Sequence, residues 1–570
     1  MKPRVFLPAI LSGLLLWPAF FPLDLGPIGF VALVPWLSLV RAPVTNRRRY
    51  LAAYVGGVAF FFVALNWLPV AHPMMYFSWV GLTLVCPLFW VTGLWFIRRL
   101  DRLGFPLAVS FPVAWVALEY TRAHFPTGFS FLTHVGLHQK IGFGWYFLGY
   151  TQHAFSQLLQ VADLGGVYAV SFLVAAVNGL AAEWALRMAV VRRWLRWPVA
   201  EVTPTSRWIV PSTVGVAMGV VGAIGYGVVR LDHPAFLPGP RVAAIQGNMP
   251  QAEKTKRGEN LGELYFRLHV QAIAQSPLPD LIVWPETCMP VEWAEVAPGE
   301  SLEGAPSDFL KKREVAEHFL GKSDLRKKYL DWRSEKPDWH VTTLFGLGGL
   351  EWEGGKVWKY NSALAIDRKG NKLGRYDKMH LIPFGEYVPF RETFPWMNAF
   401  TPYDHDYSCR PGEHWTRFPL TTADGRSFLF GCLICYEDSD PYLARQYAGE
   451  VDPVDFLVNI SNDGWFDGTE EHEQHLAICR FRAVETRRSI VRAVNMGISA
   501  LIDPDGRVVA IPGESWSASK KIEAVLTVEV PIDHRESSYA RLGDWAPAVC
   551  WLVIVVGFVA GRFVARAGAS

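Results

Sequence analysis

The chain has almost no net charge. Its 55 Lys and Arg against 53 Asp and Glu leave +2 over 570 residues, too little to argue for a nucleic-acid partner. Cysteine is scarce as well, and seven irregularly placed residues are too few for a disulfide framework. Cys432 and Cys435 have C-x-x-C spacing, but inside an apolar run rather than at the start of a helix. Strand alternation would also point their sulfurs to opposite faces, which disfavours a redox or zinc role. Charged residues are thin overall, 19% against 51% hydrophobic, with a mean hydropathy of +0.16. That excludes a wholly soluble chain, so the apolar excess must be localised.

It falls in the first ~230 residues and the last ~30, in stretches of roughly membrane-crossing length. Eight spans are predicted: Val5 to Phe20, Ile28 to Val40, Leu51 to Val70, Tyr76 to Ile97, Phe105 to Tyr120, Val167 to Ala185, Val210 to Val229 and Trp545 to Val564. A signal peptide over Met1 to Phe20 is disfavoured, because no small-residue cleavage site follows. Basic residues crowd alternate connections: Lys2 and Arg4; Arg41 and Arg47 to Arg49; Arg98, Arg99 and Arg102; Arg187 to Arg207; Arg562 and Arg566. The intervening connections carry few or none, which predicts that both termini are cytoplasmic. Three units follow. Residues 1–230 form a membrane domain of seven helices, 231–543 an external domain, and 544–570 the eighth helix with a short tail.

Between Pro238 and Val530, short β-branched runs alternate with helical stretches, the signature of an α/β domain with a buried sheet. Strands are predicted at Val242–Ile245, Leu281–Trp284, Val341–Phe345, Phe428–Cys435, Phe456–Ile460, Ile498–Ile502 and Ala524–Val530. Helices are predicted over Leu261–Ala274, Arg313–Trp332 and His472–Val494. Residues 301–338, rich in Lys and Glu, read as a solvated surface helix or insertion.

Chemistry gathers at strand ends. Cys435 closes an apolar run and is followed by Tyr436 and Glu437; Glu286 closes another; Lys378 opens a loop rich in Pro and Gly. A thiol with a pKa of ~8.5 needs a base or a cation beside it to attack. Glu286 would take its proton, and Lys378 would stabilise the oxyanion that forms. His380 is a rival base. His472 and His475, near Glu471 and Glu473, suggest a metal only weakly, and no metal or cofactor is expected. Taken singly, each residue has a structural explanation.

The blocks Val242-Ala-Ala-Ile-Gln-Gly-Asn248, Val283-Trp-Pro-Glu286, Tyr360-Asn-Ser362, Tyr376-Asp-Lys-Met-His-Leu-Ile-Pro-Phe-Gly-Glu-Tyr-Val-Pro389, Ile434-Cys-Tyr-Glu437 and Asn459-Ile-Ser-Asn-Asp-Gly-Trp-Phe466 resemble the nitrilase, or carbon–nitrogen hydrolase, superfamily. Together with the spans, the whole length resembles its membrane-embedded, lipoprotein-acylating members. The resemblance implies an αββα sandwich and a Glu286, Lys378, Cys435 triad, with Glu386, Tyr436, Glu437 and Asn361 in support. It further implies an acyl chain passed from a phospholipid, through a Cys435 thioester, to the α-amino group of an apolipoprotein's N-terminal diacylglyceryl-cysteine. The setting implied is a bacterial inner membrane, with the catalytic domain facing the periplasm. Two features depart from the family: Thr255 stands where a lid Trp is usual, and extra residues separate Thr127-Gly-Phe-Ser-Phe131 from Trp145 and Leu148-Gly-Tyr150. A membrane-tethered amidase that gives the acyl group to water is the alternative within the same chemistry. A transporter or receptor is the alternative outside it.

Overall fold

The computed structural model describes residues 2–126, 142–197, 206–232, 236–254, 259–321, 341–391, 393–400, 407–449 and 451–567. Thr255, Thr127 to Phe131 and most of the 301–338 insertion's second half lie outside these residues.

Among the described residues, three helices are long and apolar enough to cross a membrane: Met75–Arg102, which is divided at Cys86 and Pro87, then Ala162–Arg187 and Ile209–Leu231. Phe6–Ala19, Gly26–Val40 and Trp545–Gly561 are shorter apolar helices. The expected span 28–40 is not one helix but three short turns, Gly26–Phe30, Val34–Leu37 and Ser38–Val40. Pro27 and Pro35 lack the N–H that a continuous helix needs, and the Cβ missing from Gly26 would lie 2.3 Å from the Thr151 carbonyl oxygen. The other expected spans fall on the helices Asn46–Ala64, Leu107–His124 and Trp545–Ala567.

From Leu237 onward the chain builds two sheets. The first runs β13 (Ala524–Ile532), β1 (Leu237–Gln246), β2 (Leu281–Val283), β4 (Thr342–Glu353), β5 (Lys356–Ile366) and β6 (Lys372–Asp377), with β3 (Trp293–Val296) beside β4. The second runs β12 (Val508–Ala510), β11 (Ala500–Ile502), β10 (Ser489–Asn495), β9 (Phe456–Asn462), β8 (Ser427–Ile434) and β7 (Arg417–Thr421). Alternating side chains fill both faces of each sheet. Val242, Val283, Leu344, Phe430, Cys432, Ile434, Val458 and Val491 meet between the sheets. On the outer face of the first sheet, Tyr265, Phe266 and Leu268 of the helix Glu259–Ile273 pack on Ile245, Ile282 and Trp284. On the outer face of the second, Leu476, Cys479 and Ala483 of the helix Glu471–Thr486 pack on Leu433 and Leu457. The result is a helix, sheet, sheet, helix sandwich, as expected.

One helix expected in this part changes. The helix expected over His472–Val494 stops at Thr486, capped by Arg487 in the left-handed conformation, and Ser489–Asn495 is a fully buried strand. Ile490, Val491 and Val494 favour the pleated surface once the helix has ended. Of the helix expected over Arg313–Trp332, the described part is Ser307–Gly321. The strands at 356–366, 372–377 and 417–421 carry mixed polarity and were not foreseen.

The helix Glu471–Thr486 is buried along its whole length, because the membrane helices cover the face that the sheet leaves open. Its Glu485 carboxylate accepts the Val167 N–H at 2.7 Å. Val167 follows the Gly165 and Gly166 break within Ala162–Arg187, so Glu485 caps a helix restart belonging to the membrane part. Next to it the buried Arg487 guanidinium holds Asp163 at 2.5 Å, Asp505 at 2.9 Å and Gln160 at 2.7 Å. Removing one partner of a buried ion pair costs about 3–5 kcal/mol, whereas an exposed pair contributes under about 1. Arg487→Met is therefore expected to lower the thermal unfolding midpoint in detergent clearly. Arg267→Met, which breaks an exposed pair with Glu523, should leave it nearly unchanged; equal shifts would contradict this account.

Candidate active site

The strand ends deliver the expected residues to one place. β8 stops at Ile434, and Cys435 turns out of it with φ of +55°, opening the short 3-10 turn Cys435–Ser439. A non-glycine residue in this region is strained, and something must hold it there. Because the strand has ended, alternation does not extend from Cys432 to Cys435, and both are free thiols. Cys435 remains partly accessible while Cys432 is sealed in the core.

Glu437 holds the turn. Its carboxylate accepts the backbone N–H of Ile434 at 2.7 Å, of Met379 at 2.6 Å and of His380 at 3.1 Å, as well as the Tyr376 hydroxyl at 2.9 Å. One side chain thus ties the Cys435 turn to the start of the Lys378 loop. Burial pushes its carboxyl up to about 7, against the pull of those N–H donors and of the Lys378 charge. Beneath the turn, His475 lies between Asp438 at 2.8 Å and Asp463 at 3.3 Å, and Arg492 holds Asp438 at 2.6 Å. Burial works against the His475 cation, but the two aspartates outweigh it and raise the imidazole to about 10. Asp463, Glu471 and His475 place ligand-type atoms within 4.8 Å of one another. Both His475 nitrogens already face carboxylates and Arg492 shares those carboxylates, so the donor set suits an internal ion network better than a metal.

Lys378 directly follows β6 and is fully buried. Its ammonium lies 2.9 Å from Glu386 and 3.4 Å from Glu286. Asn361, on β5, donates through Nδ2 to both carboxylates at 2.7 Å. Ile382 N–H donates to the second Glu386 oxygen at 2.8 Å, closing the loop on itself. Burial would lower the lysine, but Glu386, Glu286 and Cys435 hold it well above its ordinary value. Burial would likewise raise Glu286, yet Lys378, Lys254 and the Asn361 hydrogen bond bring it below the usual carboxylate range. Around Cys435, burial and Glu286 raise the thiol well above its ordinary value, with Lys378 pulling the other way. The resting site is thus a protonated thiol beside an ionised carboxylate, the pairing that general-base activation needs.

Tyr436 faces the membrane helices. Its hydroxyl accepts the Gly144 N–H at 3.1 Å, and its ring stacks on Trp145 at 5.8 Å and 9°. Trp145 in turn donates to Gln474 at 2.7 Å. His380, the rival base, meets Tyr436 edge-on and lies 3.3 Å from Asp440. All seven expected site residues therefore fall in one connected region. Sequence reading missed Lys254, whose ammonium donates to the Glu286 carbonyl at 2.7 Å, and the ion network around His475. A lone lysine in a polar stretch carries no periodicity signal, although Asp438 directly follows a quoted motif and His475 stood out as a weak metal candidate.

Two antiparallel-edged sheets between helix layers, with Glu286, Lys378 and Cys435 at converging strand ends, give the chain the fold of a carbon–nitrogen hydrolase. Residues 241–538, just over half of the chain, match that family, and residues 12–180 match the apolipoprotein N-acyltransferase N-terminal domain. An apolipoprotein N-acyltransferase of Geobacter metallireducens is 32% identical over 95% of this chain and 93% of its own length. Proteins of the same name from Rhodopirellula baltica and Caulobacter vibrioides are 26% and 28% identical, over 94% and 98% of this chain and 93% and 94% of their own. The chain belongs to the apolipoprotein N-acyltransferase family. Among solved structures, Saccharomyces cerevisiae Nit3, a nitrilase-superfamily member, aligns over 52% of this chain and 91% of its own at 18% identity with a TM-score of 0.32, a level that leaves the fold to the topology above.

Glu437→Gln tests the hold on the Cys435 turn. The amide must turn an NH2 toward a backbone N–H, leaving a buried donor unmet at about 1–3 kcal/mol. A lower unfolding midpoint is expected despite the near-identical shape; an unchanged midpoint would show that the carboxylate does not secure the turn.

Proposed function

We propose that this protein transfers an acyl chain from a phospholipid, through a Cys435 thioester, to the α-amino group of the N-terminal diacylglyceryl-cysteine of an apolipoprotein. The observation that carries the reading is the strained, partly accessible Cys435 beside the Glu286, Lys378 and Glu386 cluster, next to Tyr436 packed on the membrane part.

Glu286 takes the thiol proton as Sγ attacks the ester carbonyl, and the Lys378 ammonium balances the oxyanion. Collapse breaks the ester C–O bond, and Glu286 returns the proton to the departing lysophospholipid alkoxide. The acceptor amine then attacks the thioester carbonyl, Glu286 takes the amine proton, and breaking the C–S bond releases the amide and restores the thiol. Glu386 and Asn361 hold Lys378 and Glu286 in register, and Tyr436 and Glu437 fix the nucleophile turn. Eight spans and the divisions 1–230, 231–543 and 544–570 suit this role, in a bacterial inner membrane with both termini cytoplasmic and the sandwich on the periplasmic face. Both substrates are anchored in the same bilayer, which raises their effective concentration at such a site.

The test is labelled phospholipid with and without a diacylglyceryl-cysteine peptide. Label should pass to the peptide amine and turn over slowly without it; equal release to water would favour the tethered amidase instead. Cys435→Ala should carry no label, and Lys378→Met should lose roughly 10²–10³-fold in rate. Loss of acylation in His380→Asn but not in Lys378→Met would overturn the assignment of the lysine.

A further inference from the structure

The charges around Glu286 do not balance on the triad and Glu386 alone. Two carboxylates, Glu286 and Glu386, converge on the single Lys378 ammonium, with side chains only 8%, 15% and 0% exposed. Two like charges in so dry a site repel, and a second cation close by offsets that repulsion. The second cation is Lys254. Its side chain belongs to a residue only 4% exposed, and its ammonium donates to the Glu286 carbonyl at 2.7 Å, with Cys288 Sγ 3.3 Å from the same oxygen.

Lys254 is not there by accident of a loose loop. The segment leading to it is bolted to the ends of β9 and β10. Asn495 accepts the Met249 N–H and donates to the Met249 carbonyl, both at 2.8 Å, and Asn462 donates to Gln251 at 2.7 Å. The short helix Gln251–Lys254 then aims the ammonium into the space behind Glu286.

We propose that Lys254 is a positioning residue for acyl transfer: its charge, fixed behind Glu286, holds that carboxylate ready to accept a proton while Lys378 is free for the oxyanion. This rests on the function proposed above. The groups facing Glu286 are Lys378 after β6, Lys254, Asn361 on β5, Cys435 after β8, Cys288 two residues along the chain, and Glu386 and Cys409 across Lys378. Among the described residues, the cations that act most strongly on Glu286 are the two lysines. Lys254 acts on Glu286 in the same direction as Lys378 and second to it, both opposing the effect of burial. An acid whose folded value is depressed loses its charge as pH falls through that value. Removing Lys254 moves that loss to higher pH.

The experiment follows the rate of Cys435 acylation by labelled phospholipid against pH, and in parallel the alkylation of Cys435 by iodoacetamide, read on the Cys435 peptide by mass spectrometry. In Lys254→Met the acidic limb is expected to move up by about one pH unit, which makes the rate about tenfold lower on that limb. Lys254→Gln, which retains a hydrogen-bond donor without charge, should move it equally, and Lys254→Arg should leave it in place. A limb that stays put in the Met and Gln variants, or one that Gln restores, overturns the proposal, including when the overall rate falls through misfolding. If the unaltered protein forms no acyl-enzyme, the proposed function falls, while the alkylation limb still decides the role of Lys254.

Discussion

The structure depends on compensating charge where water is largely excluded. An isolated buried carboxylate or ammonium is costly, and pairing offsets that cost only when every lone pair and proton finds a partner. Around Cys435 the charges are paired in two tiers. The upper tier is Glu286, Glu386, Lys378 and Lys254, with Asn361 bridging the carboxylates. The lower tier is Asp438, Asp463, His475 and Arg492, beneath the Cys435 turn. Glu437 joins them, since it follows Cys435 in sequence yet accepts the backbone N–H groups that open the Lys378 loop. Moving any of these charges would leave another uncompensated, which is why the strained backbone at Cys435 persists.

The same constraint joins the sandwich to the apolar helices. A fully buried helix with Glu473, Glu485, Arg480 and Arg482 on it would be unstable against lipid alone. Several of its polar groups are met by the membrane part: Glu485 caps Val167, Gln474 receives Trp145 and Arg480 reaches His153 at 3.1 Å. Trp145 also stacks on Tyr436, one residue from the thiol. A displacement of the apolar helices would therefore be felt at Cys435 with few intervening groups.

Much of this was legible in the sequence, for physical reasons. β8 and β9 are near-continuous apolar runs, as strands buried on both faces must be, and their ends carry reactive side chains because ends are where a buried strand meets polar surroundings. β5, β6 and β7 were not legible. Lys356 to Tyr360 and Lys372 to Arg375 mix charge with apolar residues because one end of each strand reaches solvent. β10 was hidden because Arg488 stands directly before it and Arg492 breaks its apolar run; both are buried by partners far away in sequence, Asp533 and Asp438. Lys254 was invisible for the same reason, its partner being a carbonyl 32 residues away. Tertiary pairing of charge is not written in local pattern.

The central claim is that one sulfur carries the acyl group. Protein purified from membranes and digested should yield the Cys435 peptide with a fatty acyl mass increment that neutral hydroxylamine removes, as it does a thioester. An increment that resists hydroxylamine, or one found on Cys409 with Cys435 unmodified, would contradict it.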